Sequence, residues 1–203
     1  MAKSTGRRSR TKAELAEIDR EFREALSNLV IMWANAESWF HRVLAVILKI
    51  DVALANLLYT NTVSTRARVD LVQRCGFMCL AEARLVRHLK KLASDFEAGS
   101  RIRNKLCHAT YEIHPSREFP TAIIISNFQR SDFDGTNYQE VRAIDRGLIN
   151  EIWQEYRKAV SLCGRLERFV KTAPKHVLPT PRTTPLQLSK RRKGRTAKPK
   201  KRP

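Results

Sequence analysis

One stretch of the chain gathers side chains that can do chemistry: Arg101-Ile102-Arg103-Asn104-Lys105-Leu106-Cys107-His108. A guanidinium fork matches two phosphate oxygens, and an imidazole can take or give a proton near neutral pH. Together they suit attack on a phosphodiester. At about 100° per residue of helix, Ile102, Leu106 and Ala109 share one face, which is expected to be buried. Arg103 and His108 then flank the opposite, exposed face, with Asn104 and Cys107 between them. They stand roughly 140° apart, so one arginine must reach far, or a second copy of the helix must meet this face. A site lined by a dimer is the expectation. Arg101 also lies near His108 on this projection and remains an alternative to Arg103.

Glu37 is a second clue. It falls inside the apolar stripe that contains Trp33 and Phe40, so a carboxylate points where the core should be and needs a partner. Arg103, Arg101 and His108 are candidates, and a structural ion pair with some other arginine is the alternative. The cysteines carry less. Cys75 and Cys79, four apart, are expected to pack as small hydrophobes, not to ligate metal. Cys107 and His108, adjacent on a helix, point about 100° apart, so a thiol–imidazole pair is not expected either. Neither a glycine-rich phosphate loop nor a metal-ligand pattern is present, and no cofactor is expected.

The elements that must position these residues read as mainly helical. Leu15, Ile18, Phe22, Leu26, Leu29, Trp33, Phe40, Leu44 and Ile47 recur at threes and fours from about Lys12 to Ile50, one long helix or two joined near Ser27–Asn28. Asp51 can cap a short helix through Tyr59, and Ser64 another through about Cys79, with Val69, Val72 and Gly76 buried. A further helical segment runs from Ala81 to near Ala109, with a break expected near Ser94 or Gly99. Then Tyr111–Ile113, Thr121–Phe128 and Tyr138–Ile144 read as a small antiparallel sheet. From Asp145 to about Thr172 the helical period returns through Leu148, Ile152, Tyr156, Ala159, Cys163, Leu166 and Val170, and Pro174 ends it. Trp33, Trp39, Phe40 and Trp153 fit core or interface positions.

In this setting Arg103-Asn104-x-x-x-His108 resembles the R-x(4–6)-H motif of the HEPN superfamily, in which a polar residue commonly follows the arginine. Asn104 therefore favours Arg103 over Arg101. The resemblance extends over roughly residues 13–172 and includes Trp33-x-x-x-Glu37 in the first helix. It implies a HEPN-like helical bundle with the sheet inserted before the last helix, at about residues 111–144. It also implies a metal-independent ribonuclease acting as a homodimer in stress response or phage defence, or as a toxin with an antitoxin. His108 would act as base or acid, Arg103 would stabilise charge on the phosphate, and Asn104 would orient the imidazole. Where members paired with nucleotidyltransferases tend to carry a tyrosine two residues after the histidine, this chain has Thr110, and Tyr111 comes one later. The alternatives are a non-catalytic HEPN-like protein that binds nucleic acid or ribosomes, and a nucleic-acid-binding regulator of another kind.

Charge is distributed unevenly. The chain of 203 residues has 39 Lys+Arg against 20 Asp+Glu, a net +19, which taken alone points to nucleic acid or an anionic surface. Residues 1–12 hold five bases and residues 174–203 eleven, with no acid in either, so residues 13–173 net only +3. Both ends are expected to be disordered, an N-terminal arm and a Lys/Arg/Pro-rich tail flanking one folded domain. Arg191, Arg192, Lys193, Lys200, Lys201 and Arg202, with Arg101 and Lys105 beside the motif, are candidate nucleic-acid contacts, and RNA is the expected partner. The longest apolar run, Val43–Leu48, is far short of the roughly 20 residues of a bilayer span. With no secretory signal pattern and only four unevenly spaced cysteines, a cytoplasmic protein without a membrane partner is expected.

Overall fold

The computed structural model describes residues 11–112, 121–125 and 139–181. The protein is mainly helical. Helix α1 (Lys12–Leu48) opens with a capping box: the Glu14 amide donates to Thr11 Oγ1 at 3.2 Å, and the Thr11 amide donates to Glu14 Oε2 at 2.8 Å. It is one unbroken helix, because Ala25 and Leu29 stay buried across the Ser27–Asn28 step and leave no reason to end there. Lys49, at φ 55°, turns the chain sharply into α2 (Val52–Thr60). Asp51 caps α2 through the Ala53 amide at 2.7 Å, and Ser64 caps α3 (Thr65–Cys79) through the Ala67 amide at 3.2 Å. Val69, Val72 and Gly76 form the buried side of α3.

Helix α4 (Ala83–Cys107) runs without the break expected near Ser94 or Gly99. Gly99 is present for packing: a Cβ there would stand 2.6–2.7 Å from the six-membered ring of Trp33. The backbones of Thr110–Glu112 (β1), Thr121–Ile125 (β2) and Gln139–Ala143 (β3) pair antiparallel in the order β1-β2-β3, with Ile123 opposite Thr110 and Val141. Asp145 caps α5 (Arg146–Thr172) through the Leu148 amide at 2.9 Å.

The long helices lie side by side. α1 and α5 run in the same direction, since Phe22 shares a cluster with Leu148 and Ile152 while Met32 meets Cys163. α4 runs against both, with Phe96 on Trp33 and Asp95 on Arg165. The core has two parts. The larger holds Trp33, Phe40, Leu44, Tyr59, Leu89, Phe96 and Phe169; the smaller, around Ile18, Phe22, Leu106, Ile144 and Ile149, closes the end where α4 stops.

Pro174 does end the helical run, in a 3-10 turn over Ala173–His176, but the segment after it departs from the expected disorder. The Ala81 amide donates to the His176 carbonyl at 2.8 Å and the Leu178 amide to the Cys79 carbonyl at 2.7 Å, while Leu80 and Val177 form an isolated bridge. The residues are Val and Leu, with apolar surface to dock, which the proline count concealed. Arg191, Arg192, Lys193, Lys200, Lys201 and Arg202, and the first ten residues, lie outside the described residues. Among the described residues no single helix is long and apolar enough to cross a membrane.

Candidate functional site

The site is built around Glu37, in the C-terminal half of α1. Its Oε1 accepts from Arg68 Nη1 of α3 at 2.6 Å, and its Oε2 lies 3.9 Å from Arg103 Nη2 of α4. Side-chain exposures of 24% for Glu37 and Arg68 and 28% for Arg103 place the trio at the rim of the core, where charge pairs feel less screening than at the open surface. The partner required by a carboxylate in an apolar stripe is therefore first Arg68 and second Arg103. Arg101 is exposed, and no contact joins it to Glu37.

The two arginines are differently committed. Arg68 also donates from Nε to the Thr62 carbonyl at 3.0 Å, and its guanidinium lies 5.5 Å from the centre of the Tyr59 ring. Among the described residues Arg103 makes only the longer approach to Glu37, beyond hydrogen-bond length, so its donors are drawn toward the carboxylate but not spent on it. Tyr59 is buried, and its hydroxyl has no hydrogen-bond partner among the described residues. Burial first, then the Glu37 charge, pushes the phenol up, which keeps it neutral and leaves it as a platform for Arg68. His41, one turn after Glu37, sets its ring edge-on to Tyr59 at 6.4 Å. Burial first, then Arg42, holds its imidazole below the ordinary value, against the opposing pull of Glu37.

The motif helix differs from the projection in two respects. Ile102, expected in the core, is 38% exposed and lines a cavity with Trp33 and Gly99, whereas Leu106 is buried. Arg103, expected on the open face, turns instead toward α1 and Glu37. His108 is the C-cap of α4, at φ −100° and ψ 5°, so it has left the helical register and the projected angle to Arg103 does not apply to it. It is exposed. Asn104 is half-buried and touches His108 through its backbone carbonyl, which accepts the His108 amide at 3.0 Å.

Tyr111 ties the end of the motif to the fold. Its hydroxyl donates to the Leu106 carbonyl and its ring packs at 5.1 Å from Phe22. Cys107 is not a ready nucleophile, since burial raises its thiol against the pull of Arg103. Cys75 and Cys79 are likewise raised, chiefly by burial. Among the described residues no group of three or more His, Cys, Asp or Glu could hold a metal ion.

Of the residues singled out in the sequence, Glu37 and Arg103 meet, no contact among the described residues joins His108 to either, and the neighbours Arg68, Tyr59 and His41 were not anticipated. Arg68 carries a faint signal: it stands one turn before Val72 and next to Val69, at the edge of the buried face of α3. Comparison with known proteins finds no protein family, curated protein or solved structure that matches this chain.

Proposed function

We propose that the protein is a metal-independent endoribonuclease of HEPN type: a helical bundle with a small antiparallel sheet before its last helix, acting as a homodimer in the cytoplasm. Stress response, phage defence or a toxin–antitoxin pair is its setting, and the basic tails hold RNA. The observation that carries the reading is the state of Arg103, half-buried, oriented by Glu37 and with donors unspent, one turn from the exposed His108.

Such an arginine can donate to two phosphate oxygens without first breaking a hydrogen bond of its own, so it stabilises the charge that grows on those oxygens in the transition state. His108 takes the proton from the ribose 2′-hydroxyl as that oxygen attacks phosphorus. The second copy's His108 gives a proton to the departing 5′-oxygen. The products are a 2′,3′-cyclic phosphate and a free 5′-hydroxyl. Asn104 steadies the imidazole through the backbone at the helix end, and Arg101 and Lys105, both exposed, add positive charge along the RNA.

The test is cleavage of a labelled mixed-sequence RNA in EDTA by the parent and by His108→Ala. The parent is expected to leave cyclic-phosphate ends, with the variant slower by a factor of about 100 or more. Binding without cleavage by both would replace this reading with the non-catalytic one. The 2.6 Å Glu37–Arg68 pair gives that second reading its support, because a carboxylate held so firmly to a core-rim arginine has a sufficient structural role.

A further inference from the structure

The groove between α4 and α5 holds a second concentration of positive charge. On α4, Arg84, His88, Lys91 and Asp95 follow at steps of four, three and four, which places them in one stripe. α5 runs antiparallel beside it: Arg165 Nη1 meets Asp95 Oδ2 at 2.6 Å, and the His88 ring stands edge-on to Phe169 at 5.7 Å. Asp95 is the only carboxylate of the stripe, and it is spent on Arg165. Arg84, Lys91 and Arg168 are exposed, with no salt bridge among the described residues. Their field is felt locally. Partial burial, then Arg165, Arg168 and Arg84, hold the His88 imidazole below its ordinary value.

Both ends of this groove lead somewhere. Toward the C-terminal end of α4 it opens into a cavity of about 480 Å³. Trp33, Gly99, Ile102 and Leu162 line its apolar part; of its charged lining, Glu155 holds Lys158 at 2.6 Å and Asp95 holds Arg165, which leaves Arg157 as the cation without a salt bridge among the described residues. Toward the N-terminal end lies the docked segment His176–Leu178, bonded to Cys79 and Ala81, one turn before Arg84. The sequence beyond Pro181 carries ten further bases. Among the described residues, the exposed cations Arg84, Lys91 and Arg168 lie along the helix pair that leads to this cavity.

We propose that the α4–α5 groove is a track for single-stranded nucleic acid, in which Arg84, Lys91 and Arg168 hold backbone phosphates and the cavity at Trp33 and Ile102 takes an unstacked base. Cations that follow a backbone toward an apolar pocket for a base are the arrangement by which proteins hold single strands, whereas a duplex keeps its bases paired and out of reach of such a pocket. Arg84 and Arg103 are 19 residues apart on one helix, about 28 Å, so the phosphate-holding end of the track is separate from Arg103, while its cavity end, at Ile102, adjoins it. The proposal goes beyond cleavage and stands without it.

The experiment measures affinity of the full chain for a short 2′-O-methyl RNA, which cannot be cut through its 2′-oxygen, as a function of salt. The parent is compared with Arg84→Ala/Arg168→Ala and with Arg20→Ala/Arg23→Ala, which removes equal charge from α1. Losing two phosphate contacts should lower the steepness of log K against log salt by about 1.4 in the groove variant. The α1 variant should keep the parent slope. Unfolding temperatures identify any variant with a damaged fold, and Arg84→Gln/Arg168→Gln then repeats the measurement. An equal loss in both variants, or none in the groove variant, overturns the track. A DNA oligonucleotide identifies the sugar: equal loss assigns the contacts to phosphate, and loss with RNA alone assigns them to the ribose as well. Vesicles of phosphatidylserine and phosphatidylcholine in equal parts provide the last arm. Loss of vesicle binding with RNA binding intact would make the groove a membrane-facing surface and end the proposal.

Discussion

Glu37 shows how a single misplaced charge organises its surroundings. A carboxylate at the rim of an apolar core costs free energy unless it is paired, and here one oxygen is taken by Arg68 and the other faces Arg103. Arg68 is in turn fixed by the Thr62 carbonyl and the Tyr59 ring, so Glu37 cannot swing fully toward Arg103. Arg68→Ala removes that restraint and leaves Glu37 Oε1 without its close partner. We expect a loss of about 2 kcal/mol in stability, the scale of one hydrogen bond to a charged group at a half-buried position, measured by urea unfolding. Glu37→Gln/Arg68→Ala should recover part of the loss, because no uncompensated carboxylate remains. A double variant less stable than the single one would show that Glu37 is held by something other than Arg68.

At the scale of the element, Gly99 and Gly164 look alike in sequence and differ in structure. Both sit inside continuous helices, where alanine would be favoured over glycine by about 1 kcal/mol. A Cβ at Gly99 would press on the buried Trp33 ring, which is already stacked on Phe96 at 4.9 Å, whereas a Cβ at Gly164 meets nothing within 4 Å. Gly164→Ala should raise stability by about 0.5–1 kcal/mol, while Gly99→Ala should lower it by about 1–3 kcal/mol, since a rigid ring has no room to yield. Thermal unfolding of the two variants side by side checks both signs. The same contrast explains what could be read from the sequence. Asp51, Ser64 and Asp145 announce α2, α3 and α5 because capping is local chemistry, settled within three residues. The continuity of α4 through Gly99 was not legible, because the reason for that glycine sits on α1, 66 residues earlier. The Glu37–Arg68 pair joins residues 31 apart for the same kind of reason. An odd charge in an apolar stripe announces that a partner exists, but only the packing of α3 against α1 says which one.

For the molecule as a whole, the boundary between folded body and basic tail decides how its charge can be used. Composition alone places that boundary at Pro174, but the pairing of residues 176–178 with residues 79–81 carries the folded body past Leu178. The difference has consequences for any truncation. A chain ending at Ala173 loses two backbone hydrogen bonds and the His176–Glu82 contact at 2.7 Å, and exposes Leu80, which is fully buried. Two hydrogen bonds at about 1 kcal/mol each correspond to a fall in Tm of roughly 4–8 °C for a chain of this size. A chain ending at Pro181 keeps those contacts and should unfold at the parent temperature, while losing ten of the 39 Lys+Arg residues. Its affinity for RNA should drop and become markedly less salt-dependent, because each phosphate contact contributes about 0.7 to the slope for a single strand. Cleavage of short RNA at low salt should persist in this shorter chain if Arg103 and His108 do the chemistry, since both lie outside the segment removed. If the chain ending at Pro181 binds and salts out like the parent, the tail is not the RNA-holding element, and that role passes to the folded body.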